Sequence, residues 1–137
     1  MKRITNILTG LSLAVLFFVA SAHAQFEQRM TANIPFEFVV GSNTLPAGQY
    51  QFLRTGDGIY LVRDADGRSL FTMASGSIQA NELSEKSVLK FITVNGRHVL
   101  AQIWNDRADT GNEFLYGQSY VDLAKQPAVH MVVDGRR

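Results

Sequence analysis

Two apolar runs meet at Asn95-Gly96, and that dipeptide limits the folds open to this chain more than any other feature. Ser87-Val88-Leu89-Lys90-Phe91-Ile92-Thr93-Val94 precedes it, and Arg97-His98-Val99-Leu100-Ala101-Gln102-Ile103-Trp104 follows it. A two-residue type I′ turn needs positive φ at both central positions, which Asn and Gly accept at little steric cost. Turn geometry sets register, so Val94 must pair with Arg97. Apolar residues on both faces predict strands covered on each side. Val99, Ala101 and Ile103 are expected on one face, and Leu100 with Trp104 on the other.

Similar punctuation runs through the rest of the chain. Ile34, Phe36, Phe38 and Val40 alternate with Pro35 and Glu37, the period-two pattern of a half-buried strand. Gly41-Ser42-Asn43 breaks it, and Leu45-Pro46-Ala47-Gly48 places Pro and Gly where a type I turn favours them, before Tyr50 and Phe52 resume the alternation. Thr31 to Arg54 therefore reads as strand, tight connection and strand, after a polar lead-in from Gln25 to Met30 that pairs late or stays loose. Thr55-Gly56-Asp57-Gly58 forms the next turn, Ile59 to Arg63 a strand, and Asp66-Gly67 a further type I′ hairpin turn ahead of Leu70 to Met73. Thr72 to Ala80 can extend that strand with a bulge or a bend at Gly76, and Asn81 to Lys86 is an exposed loop with room for one helical turn.

Asn105 to Asn112 is a polar loop. Beyond it Phe114, Leu115 and Tyr116 could continue a strand, but Ser119 with Asp122 resembles a capping box and predicts a short helix over Gln118 to Lys125, ended by Pro127. Ala128 to Val133 is a last short strand. These elements predict an all-β chain, a small antiparallel sandwich or partly closed barrel of seven or eight strands with a short C-terminal helix. An outer-membrane barrel is disfavoured, because its strands need about 10 alternating residues each.

Lys2 and Arg3, the apolar run Leu11 to Ala20 and the small residues of Ser21-Ala22-His23-Ala24 have the tripartite layout of a secretory signal peptide cleaved after Ala24. The run is half of the about 20 residues that a membrane span needs, so no span is expected after cleavage. No cysteine follows it for lipid attachment. Residues 25–137 then form one β domain of 113 residues. Of the 13 Lys and Arg, two lie in the leader, leaving 11 against 12 acidic residues and a net charge of −1. That balance gives no electrostatic case for nucleic acid or for an anionic membrane surface. Without cysteine the exported domain must be held by core burial alone.

Asn33-Ile34-Pro35-Phe36-Glu37-Phe38, Gly41, Leu45-Pro46-Ala47-Gly48-Gln49-Tyr50, the hairpin ending in Trp104 and the Ser119 to Ala124 segment together resemble a family of small exported bacterial β-proteins. Those carry an Ile-Pro-Phe-acidic-Phe strand, a Leu-Pro-Ala-Gly-x-Tyr turn and a tryptophan-bearing strand near the end. The resemblance covers most of residues 25–137, stops after Ala124, and implies a fold and an exported location but no activity, cofactor or site.

Chemistry is sparse. His98 and His130 stand outside any His-x-His, His-x-x-His or His-Glu-x-x-His spacing, and no Gly-x-Ser-x-Gly elbow occurs. Asn105, Asp106, Asp109, Asn112 and Glu113 gather oxygen ligands of the kind calcium prefers, which makes Asp106, Asp109 and Glu113 candidate metal ligands; the loop fails the EF-hand pattern, and a solvated connection is the competing reading. Among the aromatic residues, Trp104 and Tyr60 are the candidate ligand-binding positions, suited to stacking on a glycan if exposed and to the core if not. Asp66-Gly67-Arg68, Asn95-Gly96-Arg97 and Asp134-Gly135-Arg136 repeat a short pattern that is either an anion site or ordinary turn chemistry.

The function expected is that of a non-catalytic module, periplasmic or extracellular, that binds or builds in the cell envelope or outside the cell. An envelope component, a glycan and self-association are its open partner classes. The alternatives are a carrier of a small apolar ligand in a barrel cavity and a small hydrolase.

Overall fold

The computed structural model describes residues 28–114 and 130–136. Eleven strands follow in order: β1 (Gln28–Ile34), β2 (Phe38–Val40), β3 (Asn43–Leu45), β4 (Gly48–Gly56), β5 (Ile59–Asp64), β6 (Ser69–Met73), β7 (Gly76–Gln79), β8 (Ser87–Val94), β9 (Arg97–Trp104), β10 (Thr110–Glu113) and β11 (His130–Gly135). One sheet has the order β1-β4-β5-β6; the second runs β11-β8-β9-β10-β7, with β2 joined to β9 and β3 to β2. The two pack together as an all-β sandwich. Among the described residues there is no helix, and the segment Gln118 to Lys125, where one was expected, lies outside them. Residues 1–24, expected as a signal peptide, also lie outside them.

The sheets do not close into a barrel. Among the described residues, one isolated backbone bridge joins them beyond the shared core, where the Thr31 N–H donates to the Arg136 carbonyl at 2.6 Å and the Arg136 N–H returns a bond at 2.7 Å. Met30, Ala32, Ile34, Tyr50, Phe52, Tyr60 and Val62 of the first sheet meet Phe38, Val40, Leu89, Phe91, Leu100 and Ile103 of the second. Edge-on aromatic pairs hold this interface, with Phe38 against Tyr50 at 5.1 Å and Tyr60 against Phe114 at 5.3 Å. Such pairs contribute about 0.5–1.5 kcal/mol each beyond their buried area.

The Asn95-Gly96 hairpin forms as its residues dictate, with Val94 opposite Arg97 and φ of 51° and 77° at the two turn residues. Its expected faces are corrected by a bulge. Lys90 pairs with Gln102 but Phe91 pairs with Leu100, so Ala101 is an extra residue and the alternation flips. Leu100 and Ile103 consequently share the core, while Ala101 joins Ile92, Val94 and Val99 in a separate cluster.

Residues 33–50 also differ from the expected strand pair. Ile34, Phe38 and Val40 are fully buried and Phe36 packs against them, as the alternation required, but β1 belongs to one sheet and β2 to the other. Pro35 interrupts the ladder because it has no N–H to donate, and the chain changes sheets there. β2 then pairs in parallel with β9, so the sandwich is not wholly antiparallel. The polar lead-in is corrected too: Gln28 to Met30 belong to β1, and Met30 is in the core. Thr110 to Glu113, expected as loop, form β10 against β9 and β7. The run from Thr72 to Ala80 divides at Ala74-Ser75, where the chain crosses to the second sheet. The Asp66-Gly67 hairpin is present, but only Gly67 has positive φ (86°). The Gly67 N–H donates to the Asp64 carbonyl and the Asp64 N–H to the Arg68 carbonyl, which is a type I turn with a bulge rather than type I′.

Candidate functional site

The cleft that combines an apolar floor with polar walls lies where the β3–β4 connection approaches the β5–β6 hairpin. Leu45, Pro46, Tyr50, Val62 and Leu70 form its floor, and Thr44, Asp64, Arg68 and Ser69 its rim, around a volume of about 270 Å³ open to solvent. Local chemistry holds both walls. The Tyr50 hydroxyl donates to the Pro46 carbonyl at 2.7 Å, four residues back, which closes the Leu45 to Tyr50 turn onto its own strand. Opposite it, Asp64 Oδ1 accepts the N–H groups of Asp66 and Arg68 at 3.0 and 2.9 Å, and Asp64 Oδ2 accepts Arg68 Nε at 2.8 Å. A second Arg68 nitrogen reaches Asp66 at 3.0 Å.

Charge and burial act on these groups in opposite directions. Partial desolvation would raise the Asp64 carboxyl, but the Arg68 N–H, the Arg68 guanidinium and the Asp66 N–H outweigh it and hold the group below the ordinary carboxylate range. Burial, reinforced by the Asp64 charge and opposed by Arg68, pushes the Tyr50 phenol up. The cleft therefore presents a neutral phenol and a hydrogen-bonded Asp64–Arg68 ion pair around an apolar floor.

Tyr60 and Trp104 lie elsewhere, and both are buried. Tyr60 stands between the sheets, accepting Asn112 Nδ2 at 2.9 Å on its hydroxyl, and burial raises its pKa despite Arg54 and hydrogen bonds from Asn105 and Asn112. Asn105 donates onward to Gln28 at 2.7 Å, so amides from both sheets hold this end of the core. The Trp104 indole donates to Gln102 Oε1 at 2.8 Å, carries Lys90 Nζ 5.2 Å from its ring centre, and rests on the backbone of Gly111. Neither ring is presented as an open stacking platform.

The acidic loop does not assemble. Asp109 is exposed while Asp106 and Glu113 are half-buried, and among the described residues no group of three His, Cys, Asp or Glu side chains is placed to hold a metal ion. His98 contacts Thr93 Oγ1 at 3.2 Å and tilts against Phe36 at 4.5 Å, while His130 sits on β11, with β8 between the two strands. The three repeated arginines go to different partners: Arg68 to Asp64 and Asp66, Arg97 to Thr44 Oγ1 at 2.7 Å, and Arg136 through its backbone to Thr31.

Sequence reasoning picked out the Leu-Pro-Ala-Gly-x-Tyr turn but assigned it to folding, and it passed over Asp64, Arg68 and Leu70 as a second wall. The available signal was the pair of turn motifs, each rich in residues that fix loop geometry. No protein-family model matches the chain, and no curated protein or solved structure is detectably similar to it.

Proposed function

We propose that this chain is an exported, non-catalytic β module that binds a partner in the cell envelope or outside the cell, and that the cleft under the Leu45 to Tyr50 turn is its anchor pocket. The carrying observation is the apolar floor of that cleft between two turns locked by Tyr50 and by the Asp64–Arg68 pair. Its volume of about 270 Å³ falls just below the range of about 300–1,000 Å³ typical of sites for whole small ligands. It suits one apolar side chain, or a fragment of that size, presented by a larger partner. The leader-like first 24 residues and the resemblance to exported β-proteins support the location. The carrier reading, by contrast, calls for a barrel cavity, and among the described residues the two sheets do not close into a barrel.

The test for binding is a thermal titration with N-acetyl-leucinamide as the probe. At ten times its dissociation constant, a ligand that binds only the native state adds about 1.4 kcal/mol, which raises the midpoint of wild type and leaves a Leu45→Asp variant unmoved. Equal response of the two proteins, or none in either, rejects the pocket. Export is checked separately by the mass of the secreted species, which should begin at Gln25. An intact chain beginning at Met1 in the membrane fraction rejects it.

A further inference from the structure

Among the described residues five strands have a ladder partner on one side only, and four of them are blunted. β1 is bridged to Arg136, and β3 has three residues with its Thr44 hydroxyl held by Arg97. β7 has four residues and opens on Gly76, and β11 carries Asp134 paired with Lys86 at 3.3 Å. The fifth, β6, has five residues, Ser69-Leu70-Phe71-Thr72-Met73, without a charge or a proline. Phe71 and Met73 are 69% and 58% exposed. An uncharged edge strand with bare apolar side chains is a template for pairing with another strand.

We propose that β6 pairs antiparallel with β6 of a second copy of this chain, about a two-fold axis at Thr72, with Phe71 opposite Met73 of the other copy. Continuity favours this occupant. On the face opposite the inter-sheet cluster, buried Leu53 lies opposite buried Leu61 and Leu61 opposite exposed Phe71, while Ile59 lies opposite exposed Met73. Both apolar rows run off the edge at exposed side chains, and a second β6 in this register continues each of them. Charge also favours a like strand. β6 itself carries no charge, so two copies of it bring no like charges together. Arg68, next to it in the chain, is held by Asp64 and Asp66, and Arg63 on the neighbouring strand donates to the Ser69 hydroxyl at 3.3 Å, whereas a charged strand would find no complement on β6. On the inner face the same register sets Thr72 against Thr72 and Leu70 against Ala74, a hydroxyl pair and an apolar pair of the kinds that stabilise sheets. An open space of about 430 Å³ between Val40 to Asn43 and Phe71 to Met73 leaves room beside the edge. The two-fold makes the contact self-complementary, so association closes at a dimer. This inference does not depend on what the anchor pocket holds.

Cross-linking tests it cleanly, because the chain contains no cysteine. Phe71→Cys and Met73→Cys proteins, mixed and oxidised, should give a disulfide-linked heterodimer, since directly opposed strand residues lie within the about 4.4–6.8 Å Cα separation that a disulfide spans. Gln28→Cys and Gln79→Cys proteins, altered on the β1 and β7 edges, should stay uncrosslinked. In sedimentation the wild-type chain should be a concentration-dependent dimer, and the Phe71→Lys/Met73→Lys variant a monomer with unchanged circular dichroism. A wild-type chain monomeric at millimolar concentration, a lysine variant still dimeric, or edge controls that cross-link as fast as the β6 pair each overturn the proposal.

Discussion

Replacing Gly111 by alanine should cost far more than its chemistry suggests. Gly111 lies in β10 with an ordinary φ, so the backbone accepts alanine, and the lower entropy of the unfolded chain would by itself stabilise the variant by about 0.4–1 kcal/mol. The added Cβ, however, would lie 2.5, 2.6 and 2.7 Å from three fused-ring atoms of Trp104. That ring cannot yield like a flexible chain end, being tied through Nε1 to Gln102 and covered by Lys90. Forcing a methyl into a packed site costs typically about 1–3 kcal/mol, and three contacts with a tethered ring place this case at about 2–3. For a domain near this size that lowers Tm by about 10–20 °C. Urea denaturation followed by far-ultraviolet circular dichroism measures it, repeated in a Trp104→Leu background where the smaller side chain vacates the space. The cost of Gly111→Ala should fall below about 0.5 kcal/mol there, giving a coupling of about 2 kcal/mol between the positions. Equal costs in the two backgrounds would refute the assignment of Trp104 as a packing residue seated on Gly111.

Two further outcomes follow from the titrating groups. Tyr60→Phe leaves Asn112 Nδ2 without its acceptor and should cost about 1–2 kcal/mol in urea denaturation at pH 7. Because the raised Tyr60 pKa lends stability that is present below the unfolded value of about 10 and lost as pH rises through the folded one, the variant should also flatten the alkaline limb of the stability profile. Asp64→Asn should lower the urea midpoint at pH 7. The depressed Asp64 pKa supplies its stability above the unfolded value of about 3.9 and loses it as pH falls through the folded value, so wild type and variant should converge toward pH 2.

What could be read from the chain alone was whatever is local. Asn95-Gly96 carries its turn geometry in its own residue types, and the register across it follows without tertiary information. Ile34, Phe38 and Val40 are buried as their spacing demands, yet the same spacing concealed a change of sheet, because the inner faces of both sheets look into one core and alternation survives the crossing at Pro35 to Glu37. The bulge at Ala101 escaped notice because alanine marks no bulge; only the non-local pairing of Phe91 with Leu100 reveals the extra residue. β10 and the first residues of β1 are polar segments that become strands through the partners they find, β7 and β9 for one and β4 for the other. The cleft was illegible for the same reason, since Thr44 to Pro46 and Asp64 to Leu70 meet only after the sheets have packed. Tyr60 and Trp104 drew attention as rare aromatic residues, but their rarity said nothing of exposure, and both are core.

Amide and methyl chemical-shift mapping of the chain titrated with N-acetyl-leucinamide addresses the anchor pocket most directly, because it reports place as well as binding. Saturable shifts should concentrate at Thr44, Leu45, Tyr50, Val62 and Leu70 and vanish in Leu45→Asp. Shifts centred on Phe71 and Met73, or none at all up to the solubility of the probe, would contradict the account.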